Sequence, residues 1–174
     1  MADKNYLSGK KILIVDDEPD VLETLEELLP DCETVKASNY KEAREILETR
    51  YFDMAILDIM GVDGFGLLEI SVKKNVIPVM LTANALSPEN TMKSFKEGAA
   101  SYVPKEKIAN ITTYLEDVLE AKEKGKGFWW RWLYRFSDYY ERKFGPHWQG
   151  PEKEVWARME EQKEKGVKYF LYPE

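Results

Sequence analysis

The sequence predicts an α/β fold, a parallel sheet with helices on both faces. Three observations carry this. Five short apolar runs recur between residues 11 and 105. Each is followed by a stretch whose apolar residues fall at helical spacing. Most of the strand runs are apolar throughout instead of alternating, which is what burial on both faces requires. Regular alternation of the two element types favours parallel strands joined by helical crossovers.

The elements follow in order. KILIV (11–15) is the first strand and ends at Asp16–Asp17. PDVLETLEELLP (19–30) has apolar residues at 21, 22, 25, 28 and 29; Pro19 suits a first turn and Pro30 stops the helix. ETVKA (33–37) is a weaker strand, and NYKEAREILETR (39–50) is a helix capped by Asn39. FDMAILD (52–58) is a strand and GFGLLEISVKK (64–74) a helix. VIPVMLT (76–82) is a buried strand. SPENTMKSFKEG (87–98) opens on a Ser cap with Pro behind it and closes at Gly98. ASYVPK (100–105) is the last strand, and IANITTYLEDVLEAKEK (108–124) is again helical, with apolar residues at 108, 111, 115, 118 and 119.

The formal net charge is −7, so nucleic acid is not the expected partner, because phosphate binding relies on Lys and Arg. The charge is uneven: residues 1–127 carry net −8 and residues 128–174 net +1. A lone cysteine, Cys32, cannot form an internal disulfide and is expected to be a small loop or core residue. With a single His147 beside it, no zinc cluster can be assembled. No apolar run approaches the roughly 18 residues of a membrane span. The first ten residues lack a signal-like apolar stretch, so the expected compartment is the cytoplasm.

In open parallel sheets, ligands bind at the carboxyl ends of the strands. Strand one ends in Asp16–Asp17, strand three in Asp58, strand four in Thr82–Ala83, and strand five runs into Lys105. Taken singly, such residues are turn formers, structural hydroxyls or solvated amines. Taken together they define a chemistry. Clustered carboxylates repel and raise one another's pKa unless a cation neutralises them. Magnesium suits a few carboxylates plus water and phosphate oxygens. A carboxylate can be the nucleophile toward phosphorus. Phosphoryl transfer then needs charge neutralisation and positioning, which an ion, a lysine and a hydroxyl or backbone N–H supply.

ILIVDDEPD, AILDIMGVDGFGLLE, PVMLTA and GAASYVPK resemble, in that order, the receiver domains of bacterial two-component response regulators. The resemblance covers about residues 9–123. It implies a flavodoxin-like (βα)5 doubly wound sheet with strand order 2-1-3-4-5. It implies that Asp58 accepts a phosphoryl group from a sensor histidine kinase or histidine phosphotransfer protein. Asp17, Asp58 and the backbone carbonyl of Met60 would bind Mg2+ directly, and Asp16 through water; Mn2+ or Ca2+ could substitute. Thr82, Ala83 and Lys105 would bind the phosphoryl group. Thr82 and Tyr102 would form the switch pair, with an output face around helix four, strand five and helix five. Two departures stand out. The family usually has a longer loop, often with a proline, between the phosphorylated Asp and the next Asp-Gly; here only Ile59, Met60, Gly61 and Val62 intervene. Glu106 follows Lys105 where the family often has proline.

On this reading the chain is a phosphoacceptor and not an enzyme with a separate output domain. A haloacid-dehalogenase-type phosphatase needs an Asp two residues after the nucleophile, and that position is Met60. The alternative is a receiver-like scaffold that signals without phosphorylation. The receiver is expected to span residues 9–124 and an aromatic-rich helical extension residues 125–174. KEKGKG (122–127) reads as a hinge. Residues 128–148 hold ten aromatics, and Trp130, Trp132 and Tyr134 widen the apolar arc nearly all round the helix. A second helix is expected over 151–166, with an apolar cluster after it. The extension could fold back on the receiver or pair two copies as a homodimer. It could instead bind an unidentified downstream protein, or lie on a membrane through its Trp residues with Arg131, Arg135, Arg142 and Lys143.

Overall fold

Strands β1 (Lys11–Val15), β2 (Glu33–Ala37), β3 (Met54–Asp58), β4 (Ile77–Thr82) and β5 (Ser101–Pro104) form one parallel sheet of order 2-1-3-4-5. The helices are α1 (Pro19–Leu28), α2 (Tyr40–Thr49), α3 (Gly64–Lys73), α4 (Pro88–Lys96), α5 (Ile111–Glu123) and α6 (Trp129–Phe144). This computed structural model describes residues 4–83, 86–150, 154 and 156–157. Most of the helix expected over 151–166 and the apolar cluster after it lie outside the described residues.

Crossovers between parallel strands are right-handed. From β1 the chain steps outward to β2, then back past β1 to β3, β4 and β5. The first crossover therefore lies on one face, and α2, α3 and α4 on the other. The contacts agree: α1 packs with α5, and α2 with α3. Strands β3 and β4 are buried along their whole length, which explains their unbroken apolar sequence. The weaker β2 is an edge strand, with Glu33 and Lys36 exposed.

Local chemistry sets the helix starts. Asn39 accepts a hydrogen bond from the Glu42 N–H at 2.9 Å, and Ser87 Oγ accepts from the Asn90 N–H at 3.0 Å. Several boundaries shift by one to three residues from expectation, and the shift after β5 bears on the site. Strand β5 stops at Pro104, and a 3-10 turn over Lys105–Asn110 precedes α5. Lys105 therefore stands just past the sheet edge.

The extension folds back. Helix α6 touches α4 and β5, and its Phe136 ring lies 4.8 Å from Tyr114 of α5. The expected all-round apolar arc is corrected: the buried stripe is Trp129, Trp132, Phe136 and Tyr140, while Tyr134 is 80% exposed. The helix lies on α4 and β5 along that one stripe, so the opposite face meets solvent. Arg131 pairs with Glu120 at 2.7 Å and Arg135 with Asp117 at 2.8 Å, which engages two of the four bases considered for a membrane. We expect Trp132→Ala to cost about 3–5 kcal/mol in urea unfolding of the full chain. Tyr134→Ala should stay within about 0.5 kcal/mol of wild type.

Candidate functional site: an acidic cluster at the sheet edge

Between β1 and β3 the crossovers diverge to opposite faces, and the crevice opens at the carboxyl ends of those strands. Asp16 and Asp17 follow β1 directly, and Asp58 is the last residue of β3. Asp16 is wholly buried and Asp58 nearly so. Lys105 reaches across β4 to meet them. Its Nζ lies 2.9 Å from Asp16 Oδ2, 3.4 Å from Asp58 Oδ1 and 2.8 Å from Glu18 Oε1. The Asp16 contact is an ion pair without hydrogen-bond geometry on Oδ2, while Oδ1 accepts the Glu18 N–H at 2.9 Å.

Glu18 was not singled out from sequence. It directly follows the acid pair, which was the available signal, but its place at the start of α1 gives it an ordinary structural reading. Oxygen atoms of Asp16, Asp17 and Glu18 lie within 4.8 Å of one another. Such an all-carboxylate set suits a hard divalent cation. The ammonium of Lys105 already sits against the buried Asp16 oxygen, so the pocket accepts positive charge. The residues present fit Mg2+.

The shortened loop after Asp58 is tightly laid. Gly61 has φ +84°, and a Cβ there would stand 2.5 Å from Asp17 Oδ2. A Cβ on Gly64 would meet the Asp58 carbonyl oxygen at 2.3 Å. Backbone without a side chain therefore lies directly against the Asp17 carboxylate at Gly61, and Gly64 packs on the Asp58 backbone. Ile59 and Val62 are buried, and the Met60 side chain between them points to solvent, 56% exposed. Thr82 is buried at the end of β4 and Ala83 is exposed beside it. Tyr102 is completely buried on β5. The acids and Lys105 are thus brought together, with Thr82 at the neighbouring strand end, while Tyr102 lies deeper under α4 and α6.

A family model for the response regulator receiver domain matches residues 12–116. The chain belongs to the response regulator receiver family. Among curated relatives, the receiver is similar to response regulator protein PilR of Pseudomonas aeruginosa, 36% identical over 104 residues. That match covers 57% of this chain and 23% of the relative. It is also similar to two-component response regulator ARR18 of Arabidopsis thaliana, 36% identical over 103 residues, 56% of this chain and 16% of the relative. The match thus spans less than a quarter of these relatives' length. Among solved structures, a receiver domain protein from Methanospirillum hungatei aligns with TM-score 0.61 and 29% identity over 67% of this chain and 98% of its own. A response regulator from Chloroflexus aurantiacus aligns with TM-score 0.57 and 26% identity over 65% and 99%.

Electrostatics of the receiver site follow from burial. Burial, then the charge of Asp16, push the Asp58 carboxyl up to about 7 against the pull of Lys105. Burial also raises Asp16, opposed by the Glu18 N–H and Lys105. Burial works against the Lys105 charge, but the hydrogen bond to Glu18 and the ion pair with Asp16 outweigh it and the amine titrates above its usual range. A carboxyl raised on folding binds its proton more tightly in the native state, so stability falls as pH rises from about 4 through about 7. In metal-free protein, Asp58→Asn is expected to match wild type near pH 4 and exceed it by up to about 4 kcal/mol at pH 8. Urea unfolding across that range checks this, and added Mg2+ should narrow the gap at pH 8.

Proposed function

We propose that this receiver accepts a phosphoryl group on Asp58, in the presence of Mg2+, from a histidine kinase or histidine phosphotransfer protein. The observation that carries the reading is Lys105, whose ammonium joins Asp16, Glu18 and Asp58 at one sheet edge. Asp16, Asp17 and Asp58 are the side chains suited to hold the ion, with the Met60 carbonyl as a backbone ligand. When bound, Mg2+ neutralises the acids and one phosphoryl oxygen.

An Asp58 carboxylate oxygen attacks phosphorus as the bond from phosphorus to the donor imidazole nitrogen breaks, and that nitrogen keeps the electron pair. Lys105 leaves Glu18 and takes a second phosphoryl oxygen. The Thr82 hydroxyl and the Ala83 N–H are the candidates for the third. Glu18 thus serves as a resting partner that holds the amine in place until a phosphoryl group replaces it. The chain acts as a phosphoacceptor that assists its own chemistry, not as a separate catalyst.

Acetyl phosphate with magnesium tests this by intact mass. Wild type should gain one phosphoryl group, Asp58→Asn none, and Lys105→Ala should be phosphorylated far more slowly or not at all. If neither wild type nor Asp58→Asn gains a phosphoryl group, the chain is instead a receiver-shaped scaffold that signals without phosphate.

A further inference from the structure

The acidic cluster lies at the carboxyl ends of the strands, and a cavity of about 690 Å³ lies at the amino end of β4. Its size is that of a small-molecule pocket. Val76, just before β4, and Ile77 and Pro78, its first residues, are buried and form the floor. The exposed Val72 of α3 and the half-buried Phe128 add apolar walls. Phe128 lies beyond the stretch that matches the family, residues 12–116, so the extension supplies this wall. A hydrogen-bonded turn after α5 sets the path of the chain toward it. Gly125 has φ +67°, and the Lys126 N–H donates to the Ala121 carbonyl at 2.8 Å.

Helices α3, α4 and α5 all end around this cavity, and the last two bring Lys96 and Lys122 to its lining. Lysines in a last turn ordinarily serve the helix's own carbonyl end. Here backbone turns already bond two of the last carbonyls of each helix. The N–H groups of Val76 and Asn75 donate to Ser71 and Val72, those of Ala99 and Gly98 to Ser94 and Phe95, and those of Lys126 and Gly125 to Ala121 and Lys122. Among the described lining residues the acid is Glu97, so the charge of the lining is net positive in a chain of net −7. Phe128 also holds the N-cap position of α6 and makes no side-chain bond to its first N–H groups. The positive end of a 16-residue helix therefore adjoins the cavity.

We propose that this cavity binds a small amphipathic carboxylate, an anion carrying an unbranched apolar chain. The chain lies over Val76, Ile77 and Pro78, between Val72 and Phe128, and the carboxylate meets the ammonium groups of Lys96 and Lys122. Burial of the apolar chain supplies most of the affinity. The two ammonium groups choose the sign of the head group, since a cation of the same shape would meet like charges. Glu97 opposes the anion and limits its affinity. The site is separate from the phosphoryl chemistry: Ile77 opens β4 at the cavity and Thr82 closes it at the acidic edge. A bound chain against Phe128 also braces the segment that joins α5 to α6.

Titration of the full chain with octanoate, followed by amide NMR, tests this. Amides of residues 72–77, 96–98 and 122–128 should shift together and saturate below about 5 mM. Decanoate should bind about tenfold more tightly, because it buries two more methylenes. Octylammonium, with the same chain and the opposite charge, should bind about fivefold more weakly than octanoate. Replacing both lysines, Lys96→Gln with Lys122→Gln, should remove that preference, and Glu97→Gln should tighten octanoate about twofold. Val72→Glu sets a carboxylate into the wall at an exposed helix position. It should abolish octanoate binding while amides away from the cavity keep their wild-type shifts. Octanoate shifts centred elsewhere, no saturation, or octylammonium bound as tightly as octanoate by wild type would overturn the proposal.

Discussion

Lys105 faces three carboxylates at one edge of the sheet, and two of them, on Asp16 and Asp58, are buried. A buried charge costs several kcal/mol unless it is paired. The acids sit at the ends of β1 and β3 because the crevice opens there and nowhere else along the sheet. The lysine comes from beyond β5 and must reach across β4. That reach depends on the chain leaving β5 at Pro104 and tightening into the 3-10 turn that begins with Lys105 itself.

The loop after Asp58 serves the same constraint. With few residues to spend between Asp58 and Asp63, the chain turns at Gly61 with a positive φ and passes directly over Asp17. Asp63 then caps α3, its side chain accepting the Gly66 N–H at 3.2 Å. Backbone at Gly61 therefore lies against the Asp17 carboxylate, and the Met60 side chain is turned out to solvent. On the far side, α6 gives β5 the cover that an edge strand ordinarily lacks.

Much of this was legible in the sequence, for physical reasons that are local. Asn39 and Ser87 cap helices through contacts three residues away. The strands announce themselves because burial on both faces demands unbroken apolar runs. Asp16, Asp17, Asp58 and Lys105 stand out because charge at the end of such a run is costly without a partner. What could not be read depends on distant chain. The role of Glu18 is set by an amine 87 residues away. The seat of α6 is set by Trp132 meeting Phe95 and Tyr102, and by Tyr140 meeting Thr91. Its aromatic count suggested burial on all sides. Trp and Tyr carry a polar tip as well as an apolar body, so Tyr134 can face water while its neighbours are enclosed.

The position of Lys105 in a crystal structure of the full chain grown with beryllofluoride and magnesium is the most direct measurement. Lys105 Nζ should have left Glu18 for a fluorine on Asp58, with the ion held among Asp16, Asp17 and Asp58 and α6 still seated on β5. A loaded crystal in which Lys105 keeps its bond to Glu18, or in which the ion binds away from these acids, contradicts the assignment of this edge as the phosphoryl site.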